Sequence, residues 1–154
     1  MTTIGVIADT HGLLRAEVRQ WLHGCDLILH AGDIGKEEVL TGLERIAPVI
    51  AVRGNIDTDN WAQRLKEREV IEVAGKRICL LHNIKDLNLE AEGVFDAIVF
   101  GHSHKPLLET KEGVFYFNAG SAGPRRFKLP IAVGKLMLSA TGISAEVKEI
   151  TIKK

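Results

Sequence analysis

Histidine, aspartate and asparagine recur in five short segments, each of which follows an apolar run. The segments are Asp9-Thr10-His11, Gly32-Asp33, Gly54-Asn55-Ile56-Asp57, His82-Asn83 and Gly101-His102-Ser103-His104. They contain four of the six histidines of the chain. Imidazole nitrogens with carboxylate and amide oxygens form a mixed donor set, which suits divalent metal ions and disfavours a closed thiolate zinc site. The pattern therefore predicts a metal centre.

The spacing within two of these segments favours a centre with two ions. Asp9 and His11 are separated by one residue, and so are His102 and His104. In an extended chain such pairs project to the same side about 6 to 7 Å apart. That span suits two ions held about 3.5 to 4 Å apart. Glycines that precede ligands are expected to let the backbone turn tightly at three strand ends: Gly32, Gly54 and Gly101.

The elements that position these segments are predicted from continuous apolar runs, which are typical of strands buried on both faces. The runs are Ile4–Ala8, Leu27–Ala31, Val49–Val52, Ile78–Leu81 and Ala97–Phe100. Helical spacing predicts one amphipathic helix with Leu14, Val18, Trp21 and Leu22, and a second with Val39, Leu43 and Ile46. This order predicts a parallel sheet with right-handed crossovers, and ligands bind where such strands end.

The second half of the chain is expected to form a second, more antiparallel sheet. Turn residues predict two hairpins, at 70–81 and 107–118, and a further pair of strands flanks Thr141-Gly142. The chain contains no Pro/Ser-rich linker and no internal repeat. We therefore predict an α/β fold in which two sheets pack together within a single domain, residues 1–154.

The composition narrows the class of protein. A chain of 154 residues with 45% hydrophobic residues can bury a core of its own. Twenty basic residues balance twenty acidic ones, so net charge gives no sign of nucleic-acid or membrane binding, and phosphate binding must be local. No apolar run approaches the roughly 18 residues of a membrane helix, and the N-terminal residues lack a signal-peptide pattern. We expect a cytoplasmic protein in which Cys25 and Cys79 are buried thiols.

In their order along the chain, the five segments resemble the calcineurin-like metallophosphoesterase superfamily. The resemblance is strongest to its small single-domain bacterial and archaeal phosphodiesterases, and it extends to Asn118-Ala119-Gly120-Ser121. It implies a four-layer α/β/β/α sandwich, in which two mixed β-sheets are flanked by helices. It also implies a cofactor of two divalent metal ions, with manganese favoured over iron, nickel or zinc.

The resemblance assigns the ligands in two sets that share Asp33 as the bridging carboxylate. One ion would be held by Asp9, His11, Asp33 and His104, and the other by Asp33, Asn55, His82 and His102. The implied reaction is hydrolysis of a small or nucleotide-like phosphodiester by a hydroxide that bridges the ions. Asp33 and Asn55 would belong to the catalytic centre, and Asp57 would orient its surroundings by hydrogen bonds.

One departure from the family pattern bears on the substrate. Ile56 stands where the family usually has a histidine that assists leaving-group departure, and an alkyl side chain cannot donate a proton. This favours phosphodiesters or activated esters over alkyl phosphomonoesters. Asn55, Ser121 and Arg125 are the candidate substrate contacts, with Arg126 and Lys128 nearby, although the three basic residues would also suit an ordinary solvated turn.

Other interpretations remain open at this level. The retromer subunit that resembles this fold acts mainly as a scaffold, so a non-enzymatic interaction module is the chief alternative, and a phosphomonoesterase is another. A dinucleotide-binding domain is disfavoured because 8–12 lack the Gly-x-Gly-x-x-Gly pattern. Taken singly, Asp9 and Asp33 could be helix N-caps, and His30 has a core or supporting role. The expected partner is a small phosphoester, and assembly as a homo-oligomer is left open.

Overall fold

The computed structural model describes residues 1–87, 94–125 and 128–151. In chain order its elements are β1 (Thr2–Ile7), α1 (Ala16–Leu22), β2 (Leu27–His30), α2 (Glu37–Glu44), β3 (Val49–Ala51), β4 (Arg68–Val73), β5 (Lys76–Leu81), β6 (Ala97–Phe100), β7 (Leu107–Lys111), β8 (Val114–Asn118), β9 (Ala132–Ser139) and β10 (Gly142–Glu149). Two short 3-10 helices, Asn60–Arg64 and Ile84–Asp86, complete the list. Within these ranges no helix is both long enough and apolar enough to cross a bilayer.

The first sheet has the strand order β10-β9-β1-β2-β3. Strands β1, β2 and β3 are parallel, as predicted, and α1 and α2 form the crossovers between them. The helices bury Val18, Leu22, Val39 and Leu43 in a cluster with apolar residues of the sheet. Both helices are shorter than their apolar spacing predicts. Helix α1 begins after Leu14, and helix α2 ends before Ile46. Their N-cap residues are Arg15 and Lys36, so neither predicted aspartate caps a helix.

The C-terminal hairpin lies in the first sheet, so the prediction that it belongs to the second sheet was wrong. Strand β9 pairs antiparallel with β1 on one side and with β10 on the other. Its residues Val133, Leu136 and Leu138 are buried, which suits an interior strand better than an edge strand. Gly134 is also required here, because a Cβ at this position would come within 2.6 Å of Cζ of Phe117 in the second sheet.

The second sheet has the order β4-β5-β6-β8-β7 and is mixed. Strands β5, β6 and β8 are parallel, and the two predicted hairpins place β4 and β7 at the edges. A core of apolar side chains from both sheets fills the space between them, including Ile4, Leu29, Ile78, Val99 and Phe117. On the outer face of the second sheet, the described residues contribute the 3-10 helix Ile84–Asp86 and no α-helix. The protein thus has the two packed mixed sheets that were predicted, with few helices.

Both cysteines are buried free thiols, as expected. Cys25 packs with the helices of the first sheet, and Cys79 lies on the outer face of the second. The strands β1, β2, β3, β5 and β6 all end at one side of the sandwich, because their following residues contact one another there. This side carries the five polar segments.

Candidate metal centre

The backbone after these strands turns sharply at residues that are not glycine. Asp9, His11, Asp33, His102 and His104 all have φ between 47° and 75°, in the left-handed region that ordinary residues rarely adopt. Such conformations cost of order 1–3 kcal/mol each and cluster at functional sites, where the surrounding structure holds them. The expected extended geometry of the i, i+2 pairs is therefore wrong, because β1 ends at Ile7 and β6 at Phe100. The turns direct the side chains to a common centre instead.

The Asp9 carboxylate is buried and its two oxygens have different surroundings. Oδ2 accepts a hydrogen bond of 3.1 Å from the backbone N–H of His102. Oδ1 lies 3.9 Å from Nε2 of His82 and 3.7 Å from Nε2 of His104. One oxygen is thus oriented by the backbone, and the other faces imidazole nitrogens.

Asp33 repeats this division at the end of β2. Its Oδ1 accepts a hydrogen bond of 3.1 Å from the backbone N–H of Ile56, and its Oδ2 lies 3.7 Å from Nε2 of His11 and 3.3 Å from Nε2 of His82. Burial raises the pKa of Asp33, but hydrogen bonding to His82 and the charges of His82 and His11 outweigh burial and lower it to about 2. The carboxylate is ionised at neutral pH.

The histidine nitrogens are oriented to receive a cation. Nδ1 of His82 lies 2.8 Å from the carbonyl oxygen of Ala31 and must carry the hydrogen, because a carbonyl only accepts, so Nε2 presents its lone pair to two carboxylates. Burial lowers the pKa of His82, but the nearby carboxylates of Asp33 and Asp9 outweigh burial and raise it. Nε2 of His11 is buried with no hydrogen-bond partner among the described residues. Lone pairs directed at carboxylates fit a divalent cation.

Two groups of side chains each bring three candidate ligand atoms within 4.8 Å of one another and so could hold a metal ion: Asp9, His11 and His104, and Asp9, Asp33 and His82. Asp9 belongs to both groups, and Asp33 contacts histidines of both. The geometry thus places two carboxylates between the histidines, whereas the sequence singled out Asp33. Nδ1 of His102 lies 3.3 Å from Nε2 of His82, at the rim of this cluster. Asn55 is exposed, and together with His82 it lines a cavity next to this cluster.

Close backbone approach makes one glycine essential to the site. A Cβ at Gly54 would overlap with the backbone nitrogen and Oδ1 of Asp33. Gly54 does not have a positive φ, so the reason for glycine here is space, whereas Gly32 has a φ of 100° and does use the left-handed region. The loops after β2 and β3 can therefore touch, and the backbone N–H of Ile56 reaches Asp33.

A buried chain of hydrogen bonds connects the loops after β1 and β2. The backbone N–H of Gly32 donates to Nδ1 of His30, whose Nε2 therefore carries hydrogen and donates to Oγ1 of Thr10 at 3.0 Å. The Thr10 hydroxyl donates to the carbonyl oxygen of Ile34 at 2.8 Å. Thr10 lies between Asp9 and His11, so His30 has the supporting role that the sequence suggested. Burial lowers the pKa of His30 to about 3 and keeps it neutral.

The family model for the calcineurin-like phosphoesterase superfamily domain matches residues 2–140 of this chain. The protein belongs to this superfamily. A probable metallophosphoesterase from Methanothermobacter thermautotrophicus is 32% identical over 159 residues, covering 94% of this chain and 90% of that protein. Phosphodiesterase YfcE from Escherichia coli K12 is 30% identical over 162 residues, covering 84% of each. The crystal structure of Vps29 from Chaetomium thermophilum has the same fold, with a TM-score of 0.77 over 97% of both chains at 19% identity.

As a member of this superfamily, the protein is a hydrolase of phosphoesters, and the superfamily implies divalent metal ions as cofactors. Asp57 is buried, and its two oxygens accept hydrogen bonds from the backbone N–H groups of Ile34, Gly35 and Gly54 at 2.8 to 3.1 Å. It therefore holds the loops after β2 and β3 together.

The two other candidate substrate contacts lie in different surroundings. Ser121 is buried, and its hydroxyl donates to the carbonyl oxygen of Asp9 at 3.0 Å, so in this conformation it supports the loop that carries Asp9. Arg125 and Lys128 are exposed, and Arg126 lies outside the described residues. The structure does not bring Arg125 into a described contact with the cluster, and its role as a substrate contact stays a prediction.

Sequence reasoning missed the supporting role of Asn118 at the end of β8. Its side-chain nitrogen donates to the carbonyl oxygen of Gly101 and to the hydroxyl of Ser103, and its oxygen accepts from the N–H of Gly120. It thereby fixes the loop that carries His102 and His104. A polar residue that ends a buried strand beside a ligand-bearing strand was the available signal.

Proposed function

We propose that the protein is a phosphodiesterase that hydrolyses small or nucleotide-like phosphodiesters at two divalent metal ions, with manganese as the favoured metal. The observation that carries this proposal is the division of roles in Asp9 and Asp33. Each carboxylate has one oxygen held by a backbone N–H and the other directed at histidines from different strand ends. A protein without metal chemistry has no need for five aspartate and histidine side chains in strained turns.

The proposed ligand assignment is the one that the family resemblance implies, and the contacts described above support part of it. Asp9, His11, Asp33 and His104 would hold one ion, and Asp33, Asn55, His82 and His102 the other. Divalent ions held by these residues would supply Lewis acidity and would lower the pKa of a bound water molecule. The contacts of Asp33 with His11 and His82 support its role as a shared ligand.

Neither of the two residues that follow Asn55 can donate a proton to the leaving group. Ile56 is 45% exposed and cannot donate a proton. Asp57 is 4% exposed, and both of its oxygens are occupied by backbone N–H groups. Leaving groups that depart without protonation are therefore favoured, which supports aryl and other activated esters, and diesters over alkyl monoesters.

Hydrolysis of bis(p-nitrophenyl) phosphate and p-nitrophenyl phosphate, measured after removal of metal and addition of manganese, tests this function. We expect manganese-dependent hydrolysis with the higher kcat/KM for the diester, and two ions per chain by elemental analysis. Faster hydrolysis of the monoester would contradict the assignment to phosphodiesters. Uptake of metal without hydrolysis of either ester would support the alternative function, a non-enzymatic scaffold.

A substitution at Ile56 tests the leaving-group argument directly. Ile56→His should restore a proton donor and raise kcat for diesters of alkyl alcohols by about 10²-fold, the lower end of the roughly 10²- to 10⁴-fold that general acid catalysis contributes. The p-nitrophenyl diester should gain little, because its leaving group needs no proton. Ile56→Val is the matched control and should change neither substrate class. Equal gains for both classes would show that the histidine acts in another way.

A further inference from the structure

A cavity of about 480 Å³ lies directly beside the candidate metal centre. Its lining includes Asn55 and His82 at the metal side, with Arg53, Gln63, Arg68 and Asp86 farther out. The volume lies in the range of small-molecule sites, which is about 300 to 1,000 Å³. A phosphodiester whose phosphorus lies at the metal centre would extend one substituent into this space. The cavity therefore bears on which substituent is preferred.

Arg53 is the cation in this cavity that is partly removed from solvent. Its side chain is 27% exposed, and Nη1 donates to Oε1 of Gln63 at 3.0 Å, which fixes the guanidinium plane. Nε is buried with no hydrogen-bond partner among the described residues, and Nη2 is 3.8 Å from Oε1 of Glu67. The guanidinium group has five N–H donors, and the hydrogen bond to Gln63 uses one of them. Guanidinium groups held in this way bind phosphate and carboxylate oxygens with parallel hydrogen bonds.

Acidic residues also line the cavity, and their exposure to solvent determines how strongly their charges act within it. The Glu67 side chain is 85% exposed, so its pairing with Arg53 is screened by water and weak. Asp86 is exposed as well. The Asp57 carboxylate is saturated by backbone N–H groups and has no oxygen left for a ligand. Among the charged groups of the lining that keep free donors or acceptors, Arg53 is less exposed than Glu67, Asp86 and Arg68, so its charge is screened least.

From these observations we propose that the cavity is a binding site for a second anionic group of the substrate, which Arg53 recognises. The substrates would be phosphodiesters with a further phosphate or carboxylate on one substituent. This inference rests on the proposed function for the place of the scissile phosphate. It does not require that hydrolysis be observed, because recognition by Arg53 is a property of binding.

Calorimetric titration of the manganese-loaded protein compares ligands that differ by one anionic group. Thymidine 3′,5′-bisphosphate against thymidine 5′-monophosphate tests phosphate, and 3-phosphoglycerate against glycerol 3-phosphate tests carboxylate. We expect at least one doubly anionic ligand to bind about tenfold more tightly than its partner, as one charge-assisted contact would give. Arg53→Gln should remove this difference, and Arg53→Lys should retain part of it. Arg19→Gln, in α1 and outside the lining of the cavity, should leave it unchanged.

Each alternative result overturns the inference and is distinct from failure of the proposed function. Equal affinities within both pairs would show that the cavity recognises no second anion. A difference that persists in Arg53→Gln with an unchanged melting temperature would assign recognition to another residue. Tighter binding of phosphocholine than of the doubly anionic ligands would show that the acidic rim governs the cavity. If the difference depends on Arg53 but no diester is hydrolysed, the binding site stands and the phosphodiesterase assignment fails.

Discussion

The two buried aspartates each use one oxygen to hold their own orientation, so the opposing histidines must supply the remaining ligands. His104 is such a residue: its Nε2 lies 3.7 Å from Oδ1 of Asp9, and its side chain is 5% exposed. His11 lies beside it, with ring centroids 5.5 Å apart. Removal of either imidazole would leave its group with two ligand atoms of the three, whereas the strands that carry them would keep their pairing.

We therefore predict that His104→Ala weakens metal binding and leaves the fold intact. The dissociation constant for manganese should rise by at least about 10-fold, since even residues that only orient ligands contribute 10- to 100-fold. Competition with a metal indicator measures the affinity, and far-UV circular dichroism measures the fold. His23→Ala, at the C-cap of α1, is the control and should bind metal as the wild type does. Wild-type affinity in His104→Ala would remove this residue from the ligand set.

Asp57 acts on the backbone, and a substitution that preserves its shape should show this. Asp57→Asn keeps one accepting oxygen and replaces the other with an N–H₂ group, which then faces backbone N–H groups of Ile34, Gly35 or Gly54. An unsatisfied buried donor costs about 1–3 kcal/mol, so the free energy of unfolding should fall by that amount in urea titrations. Asp59→Asn is the matched control, because Asp59 is exposed and its side chain makes no capping hydrogen bond. Equal stability of the two variants would contradict this account.

At the scale of elements, the site consists of strand ends whose loops are joined by His30, Thr10 and Asp57. His30 is 0% exposed and accepts from Gly32 while donating to Thr10, so protonation of the ring would break the bond from Gly32. The folded pKa of about 3 lies below the ordinary value of 6.5. Below pH 6.5 the unfolded chain therefore binds a proton that the folded protein does not, and stability contributed by the neutral ring is lost as the pH falls toward 3.

This sign gives a prediction for His30→Gln, which can keep a donor and an acceptor but does not titrate. In the metal-free protein the His30 ring should cost the wild type about 2 kcal/mol of unfolding free energy between pH 6.5 and pH 5, at about 1.4 kcal/mol per pH unit. The variant should lack this part of the pH dependence, so the stability difference between the two proteins should shrink by that amount. Urea titrations at both pH values measure it. Parallel pH profiles would show that His30 is not kept neutral by the fold.

Much of this arrangement could be predicted from the sequence, for identifiable reasons. Continuous apolar runs give buried strands, and polar residues directly after them must lie at strand ends, which is why Asp9, Asp33 and His82 were found without a structure. The left-handed conformation of Asp9 and Asp33 was not predictable, because it depends on contacts such as that between Gly54 and Asp33. The C-terminal hairpin was placed in the wrong sheet, because alternation indicates which face of a strand is buried and not which strand is its neighbour.

At the scale of the whole molecule, the site depends on both sheets, since Asp9 and Asp33 come from the first and His82 and His104 from the second. The two sheets share a core in which Phe117 of β8 packs against Gly134 of β9. A relative shift of the sheets would therefore separate the ligands. Metal binding and the packing of this core should be coupled, because cations that bind the folded protein alone stabilise it.

We accordingly predict that the chain unfolds as one cooperative unit, which also tests the expectation of a single domain over residues 1–154. In Cys25→Ala, modification of Cys79 by a thiol reagent reports opening of the second sheet, and fluorescence of Trp21 and Trp61 reports the helix side of the first. The two probes should give the same urea midpoint, and added manganese should shift both equally. Phe117→Leu removes shared core contacts and should lower both midpoints together. Exposure of Cys79 at lower urea than the fluorescence change would show that the sheets unfold separately, since the thiol then becomes accessible while the first sheet is still packed.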